Sequence, residues 1–261
     1  MSDTSAETVR TPRRKLAKRM RWWSSRSYWK RIQNLHTGKR GFIIGNGPSL
    51  KIEDLERLKG EVTLAANRIY LAFDQTAWRP SYVSVADAVL WPKIREEMSQ
   101  YFDEILAVAD LPCAPAAQMR YYRYRARADA LPESNQAAPA FSADLLEGIY
   151  GGYTVTYDNL QIATWLGLNP IYLIGCDHHY AGETGQEPEG QAIVNSSSVN
   201  HFVANYRNVG EAINPAPIAR MNRAFREAQR FAELNGRSIL NATRGGHLEV
   251  FPRVDFDSLF N

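Results

Sequence analysis

Four short apolar runs in this 261-residue chain each end in polar residues of types that recognise sugars or phosphates. Phe42-Ile-Ile44 runs into Gly45-Asn46-Gly47-Pro48-Ser49, Val62–Ala66 into Asn67, Tyr82–Ala86 into Asp87, and Pro170–Gly175 into Cys176-Asp177-His178-His179-Tyr180. A Gly-x-Gly turn between strand and helix permits backbone angles closed to other residues and can aim free N–H groups at an anion, most often a nucleotide phosphate. Its plainer reading is a tight turn, because the third glycine of Gly-x-Gly-x-x-Gly is missing. A second glycine-rich stretch, Gly148–Tyr153, brings Thr154 and Thr156 to the start of a helical pattern. There hydroxyls and unpaired N–H groups could hold a phosphate or a ribose, or simply cap the helix. Asp177 beside two histidines suggests a metal, yet adjacent side chains on an extended chain point oppositely. One of His178 and His179 therefore faces a site, and no metal centre is expected. His201 follows Ala181–Asn200, a stretch rich in Gly, Glu, Ser and Gln with little to pack. A lid over about residues 181–215 would carry that histidine over a ligand as general acid or base.

These groups converge only if the apolar runs are parallel strands. Short buried runs alternating with helical patterns define an α/β fold, a Rossmann-like mostly parallel sheet flanked by helices. In such a sheet the ligand crevice lies along the carboxyl ends of the strands, which brings Asn46, Asn67, Asp87 and Asp177 together. Helical spacing covers Lys51–Leu58 with Pro48 suited to a first helical position, Val89–Tyr101, the stretch from Thr154 to Leu166, and Pro217–Asn235. Ile105–Val108 and Ser238–Ala242 read as further strands. Met119–Arg127 alternates aromatic residues with cations, as an exposed edge strand would, and could instead meet an anionic acceptor.

Charge divides the chain. Twelve of the 31 Lys/Arg and two of the 28 acidic residues fall in the first 40 positions, so that stretch carries +10 and the remainder −7. The globular part is thus no nucleic-acid surface on charge grounds. Arg13–Leu35 interleaves cations with Leu16, Met20, Trp22, Trp23, Tyr28, Trp29 and Ile32, which suits an interfacial helix on the anionic inner membrane. It equally suits a helix packed on the domain or on a second subunit. The expected organisation is a basic aromatic extension over residues 1–38 and one nucleotide-binding catalytic domain over 39–261. Two cysteines, Cys113 and Cys176, lack metal-ligand spacing, and a cytoplasmic protein, peripheral on the inner membrane, is expected.

Gly45-Asn-Gly-Pro-Ser-Leu50, Asn67, the Thr154/Thr156 helix and Ile171-Tyr-Leu-Ile-Gly-Cys-Asp177 resemble, in order and spacing, the bacterial lipooligosaccharide sialyltransferases, which use CMP-activated sugars. They also resemble the MptE-like family, typified by 6-hydroxymethylpterin diphosphokinase, and the closing Ile239–Asp255 is similar to its bacterial branch. The resemblance implies that Gly45, Asn46, Gly47 and Ser49 cradle nucleotide phosphates. It also implies that Asn67, Asp87, Thr154, Thr156 and Asp177 surround the nucleotide. His201 would deprotonate the acceptor, and His179 and Tyr180 fall near a position that steadies the leaving phosphate. The activity implied is transfer from a nucleotide sugar to a glycan or glycolipid acceptor, with no cofactor required. The alternatives are an ATP-dependent diphosphokinase acting on a pterin-like alcohol, with Mg²⁺ on Asp87 and Asp177, and a non-catalytic nucleotide-binding protein. A homo-oligomer is compatible with either.

Overall fold

The computed structural model describes residues 12–112, 116–125, 140–180, 193–194, 200–207, 211–214 and 216–260. The chain begins with α1 (Pro12–Ser24) and α2 (Arg26–Ile32), followed by β1 (Gly41–Ile44), α3 (Ile52–Arg57), β2 (Val62–Ala66), a 3-10 turn (Asn67–Ala72) and β3 (Tyr82–Val85). Then come α4 (Trp91–Tyr101), β4 (Ile105–Val108), β5 (Met119–Tyr122), α5 (Val155–Trp165) and β6 (Ile171–Ile174). A small antiparallel pair, β7 (Ile193–Val194) with β8 (Ala212–Ile213), precedes α6 (Ile218–Leu234), β9 (Ile239–Asn241) and a closing 3-10 turn (Asp257–Phe260).

Seven strands form one parallel sheet in the order β5-β4-β3-β2-β1-β6-β9. The main strands are only three to five residues long and buried on both faces, which is why they read as continuous apolar runs rather than alternations. The chain moves outward from β1 to β5 and then returns to β6 on the other side of β1. The sheet's switch point therefore lies between β1 and β6, where an open α/β sheet leaves its crevice.

The expected edge strand is β5, at the end of the sheet, but its aromatic residues do not face water. Tyr121 and Tyr122 are buried beneath α1 and α2. Trp29 donates its indole N–H to Tyr121 O at 2.7 Å, and its ring meets Tyr122 edge-on. The expected N-terminal helix breaks at Ser25, whose hydroxyl accepts the Tyr121 N–H at 2.7 Å. Its second half, with Tyr28, Trp29 and Ile32 buried, is part of the core.

Helix α5 differs from an ordinary surface helix, because Tyr157–Trp165 are all buried, including Asp158, Asn159, Gln161 and Thr164. Each polar side chain has an assigned direction. Gln161 Oε1 accepts from the N–H groups of Ser142 and Tyr150, which hangs the 142–150 loop on the helix. Asn159 accepts from Ser84 on β3 at 2.7 Å. Asp158 Oδ2 accepts from Tyr122 Oη at 2.8 Å and Tyr124 Oη at 2.6 Å, while its other oxygen is buried without a partner.

Burial pushes the Asp158 carboxyl up to about 7, against the opposing pull of the two tyrosine hydroxyls. The folded state thus holds a proton the unfolded chain releases near pH 4. That contribution to stability is full below the unfolded pKa and is lost as pH rises through 7. Wild-type protein is expected to lose about 1 kcal/mol between pH 6 and pH 8.5, and Asp158→Asn much less. Urea midpoints at the two pH values measure the difference, and parallel losses in both proteins would refute it.

Candidate functional site

The carboxyl ends of β1, β2, β3 and β6, the start of α5 and residues from 200–207 and 211–213 enclose one crevice. Of the residues singled out from the sequence, Gly45, Asn46, Gly47, Asn67, Asp87, Thr154, Thr156, Asp177, His179, Tyr180 and His201 line it. Ser49 stands behind the lining. Residues 181–192, 195–199, 208–210 and 215 of the expected lid lie outside the described residues.

The glycine turn after β1 is shaped by its neighbour. Gly45 N–H donates to Ile174 O at 2.8 Å and Gly47 N–H to Gly175 O at 2.9 Å. Ser49 gives its hydroxyl to Asp177 Oδ2 at 2.8 Å and its N–H to the same oxygen at 3.4 Å. These donors join the two turns on either side of the switch point instead of pointing into the crevice. Neither Gly45 nor Gly47 has a positive φ, in contrast to the expectation from sequence. Their need is close approach. A Cβ at Gly45 would sit 2.2 Å from Gly175 O, and one at Gly47 1.9 Å from Asp177 Oδ2. Pro48 lies in the turn rather than at the head of a helix, since α3 starts only at Ile52 and is six residues long.

Three amides in the lining present buried atoms without partners. Asn46 is pinned by its Nδ2, which donates to Ala66 O at 3.0 Å, and this leaves its Oδ1 unpaired. Asn67, held at φ 54°, has an unpaired Oδ1. Asn159 is oriented by Ser84, which occupies its Oδ1 and leaves Nδ2 unpaired. Leaving a buried polar group unpaired costs about 1–3 kcal/mol, so two acceptors and one donor held this way favour a ligand that carries hydroxyl or amide groups to meet them. Asn159 was not singled out from the sequence. The available signal was an amide next to an aspartate inside an otherwise apolar helix.

Asp87 and Thr154 have structural duties as well. Asp87 Oδ1 accepts from Val89 N–H, Leu90 N–H and Asn214 Nδ2 at 2.8, 3.2 and 2.9 Å, which closes the turn into α4. Thr154 caps α5 by accepting the Thr156 N–H at 3.3 Å. Cys176, between them and the glycine turn, has its thiol pushed up to about 12 by burial and by Asp177.

The two adjacent histidines both line the crevice and separate at a left-handed turn rather than along the extended chain expected from sequence. His178, at φ 54°, turns inward, with its Nε2 2.9 Å from Asn222 Oδ1, and burial lowers its pKa. His179 is exposed, and its ring lies 5.0 Å from that of His247. Across the crevice, His201 stacks on Tyr206 at 3.8 Å between centroids. Both of its nitrogens are engaged: Nδ1 lies 3.3 Å from Asn46 O, and Nε2 accepts from Arg207 Nε at 3.0 Å. Burial, then the Arg207 charge, pulls the imidazole down to about 3. Arg207 was also missed from the sequence. It lines the crevice, and its terminal nitrogens meet no acceptor among the described residues. Behind it, Arg68 bonds both Glu211 oxygens at 2.9 and 3.2 Å and the Tyr206 carbonyl, and Lys93 reaches Glu211 at 3.5 Å. This buried ion cluster fixes the segment that carries His201 and Arg207.

A parallel sheet flanked by helices, with a polar crevice at its switch point, defines a Rossmann-like α/β protein. Within that class the chain belongs to the MptE-like family, whose profile, described as 6-hydroxymethylpterin diphosphokinase MptE-like, matches residues 18–183. Among solved structures, the MAf glycosyltransferase from Magnetospirillum magneticum AMB-1 is similar, with a TM-score of 0.53 and 16% identity. The similarity covers 93% of this chain and 39% of that one, and at this identity it shows a shared fold. No curated protein matches the sequence.

Proposed function

We propose that the protein is a glycosyltransferase that uses a nucleotide-activated sugar, CMP-linked by the likeness to the sialyltransferases, in the assembly of a surface polysaccharide or glycolipid. The observation that carries this reading is the set of unpaired amide atoms of Asn46, Asn67 and Asn159 in the same crevice as Arg207, whose terminal nitrogens meet no acceptor among the described residues. The amides suit the hydroxyls and base edge of a nucleoside, and Arg207 suits its phosphate, for which a planar fork of donors is well matched. In the transfer step the acceptor oxygen bonds to the anomeric carbon as the bond from that carbon to the phosphate oxygen breaks. The electron pair leaves on the phosphate, where Arg207 stabilises the charge. His201, through Nε2, orients Arg207. The acceptor proton passes to His179, the crevice imidazole whose nitrogens make no hydrogen bond among the described residues, with Tyr180 beside it.

The family description favours a second reading, diphosphate transfer from Mg-ATP to a pterin-like alcohol. That chemistry would draw on Asp87 and Asp177 for the metal, and both carboxylates are engaged by protein donors in this structure. Thermal-shift measurements with CMP, CDP, UDP, GDP and ATP, each with and without Mg²⁺, separate the two. CMP is expected to stabilise the protein without metal, and Asn159→Ala to weaken that binding roughly tenfold. Stabilisation by Mg-ATP alone would overturn the glycosyltransferase reading.

A further inference from the structure

The N-terminal helices divide their apolar residues between the core and solvent. Trp22, Tyr28, Trp29 and Ile32 are buried, whereas Leu16, Met20 and Trp23 are 58%, 64% and 53% exposed. Spacings of four and three residues put those three on one stripe of α1. Lys15 and Arg19 are exposed beside the stripe and form no ion pair among the described residues. The opposite side of the helix is fastened to the domain: Lys18 pairs with Asp110 at 2.5 Å, and Arg21 donates to Leu111 O at 2.8 Å. Asp110 and Leu111 follow the carboxyl end of β4, the same edge of the sheet that holds the crevice. No helix among the described residues is long and apolar enough to cross a membrane.

We propose that this stripe docks on an anionic bilayer surface, with Leu16, Met20 and Trp23 entering the headgroup boundary and Lys15 and Arg19 lying over acidic headgroups. Charge selects this occupant. Pairing the stripe with that of a second copy would bring together two segments of net +10, whereas an anionic leaflet attracts the same charge. α1 has 13 residues, a length that lies in the interface plane and cannot span it. The inference stands on the N-terminal helices alone and does not depend on the transferase reading. Combined with that reading, it brings the crevice edge toward a leaflet that carries the acceptor.

Co-sedimentation of the full-length protein with phosphatidylcholine vesicles, and with vesicles containing about one third phosphatidylglycerol, tests the proposal. The expected result is at least about tenfold stronger partitioning onto the anionic vesicles at low salt, reversed by high salt. Replacing Leu16, Met20 and Trp23 together by serine is expected to cut that partitioning by about tenfold or more. An unchanged melting temperature would show that these exposed positions leave the fold intact. Equal pelleting of wild type and the triple variant overturns the proposal. So does a substitution-sensitive dimer in light scattering without vesicle binding, which would assign the stripe to a second copy.

Discussion

Gly45→Ala is expected to destabilise the protein by about 3 kcal/mol or more, at the upper end of what one added methyl group does to a packed interior. The new Cβ would lie 2.2 Å from Gly175 O, 2.6 Å from Gly175 C and 2.9 Å from Cys176 Sγ. The first two are backbone atoms of the turn after β6, so no side-chain rotation relieves the overlap. That turn cannot recede cheaply, because Gly175 itself approaches Gly45 O and is held at φ 62°. Separating the turns would break the Gly45 N–H to Ile174 O bond and loosen the sheet at its switch point. Gly47→Ala should be milder in stability, since the two closest contacts of its Cβ are with the Asp177 carboxylate, which can rotate, and one backbone contact, Gly175 O at 2.8 Å, remains. Rotation would release Ser49 and reshape the crevice, so nucleotide binding should suffer more than the fold. Urea denaturation of both variants measures the ranking, and a Gly45→Ala midpoint near that of wild type would show that the two turns are not in the close contact described.

Arg207→Ala is expected to lower kcat/KM by about 10²- to 10³-fold, the usual effect of removing one charge-stabilising donor from a transfer site. Arg207→Lys should recover only part of the loss, because an ammonium supplies neither the planar fork nor the Nε–H that His201 accepts. His201→Ala should act through the same contact and be less severe. The pH profile distinguishes this role from that of a base. With its imidazole pulled down to about 3, His201 stays neutral from pH 5 to pH 8, so the rate should show no inflection of its own near pH 6.5. The sign for stability follows from the same depression. The contribution of the neutral, buried ring is present above pH 6.5 and is lost as pH falls toward about 3. A rate inflection near pH 6.5 that disappears in His201→Ala would make His201 the base and remove the positioning role argued for it.

Much of the fold was legible because the strands are buried on both faces. Val62–Ala66 and Ile105–Val108 are strands over the residues their apolar runs suggest, and α6 follows its amphipathic pattern with Met221, Ala224, Phe225, Ala228 and Ala232 inward. The crevice residues after β1, β2, β3 and β6 were legible for a related reason. A parallel strand must end at the same edge as its neighbours, so the polar residue just past each apolar run is placed by topology. Illegible were the roles of residues whose partners are remote in the chain. Asn159 depends on Ser84, 75 positions away, and the Arg68–Glu211 pair joins residues 143 positions apart. No local pattern encodes such contacts.

The amino-acid sequence by itself determined the order of buried strands and helices, the edge at which the polar turns gather, and the basic aromatic character of the N-terminal segment. Periodicity, turn chemistry and charge are properties of neighbouring residues and survive without a fold. Only the tertiary structure decided that the glycine turn is glycine for close approach, that α5 turns three polar side chains in three directions through the core, and that His201 is spoken for by Arg207. It also decided which aromatic residues of the N-terminal helices are core and which remain on the surface. These outcomes depend on which atoms meet across the sheet, and that is settled only when the layers pack.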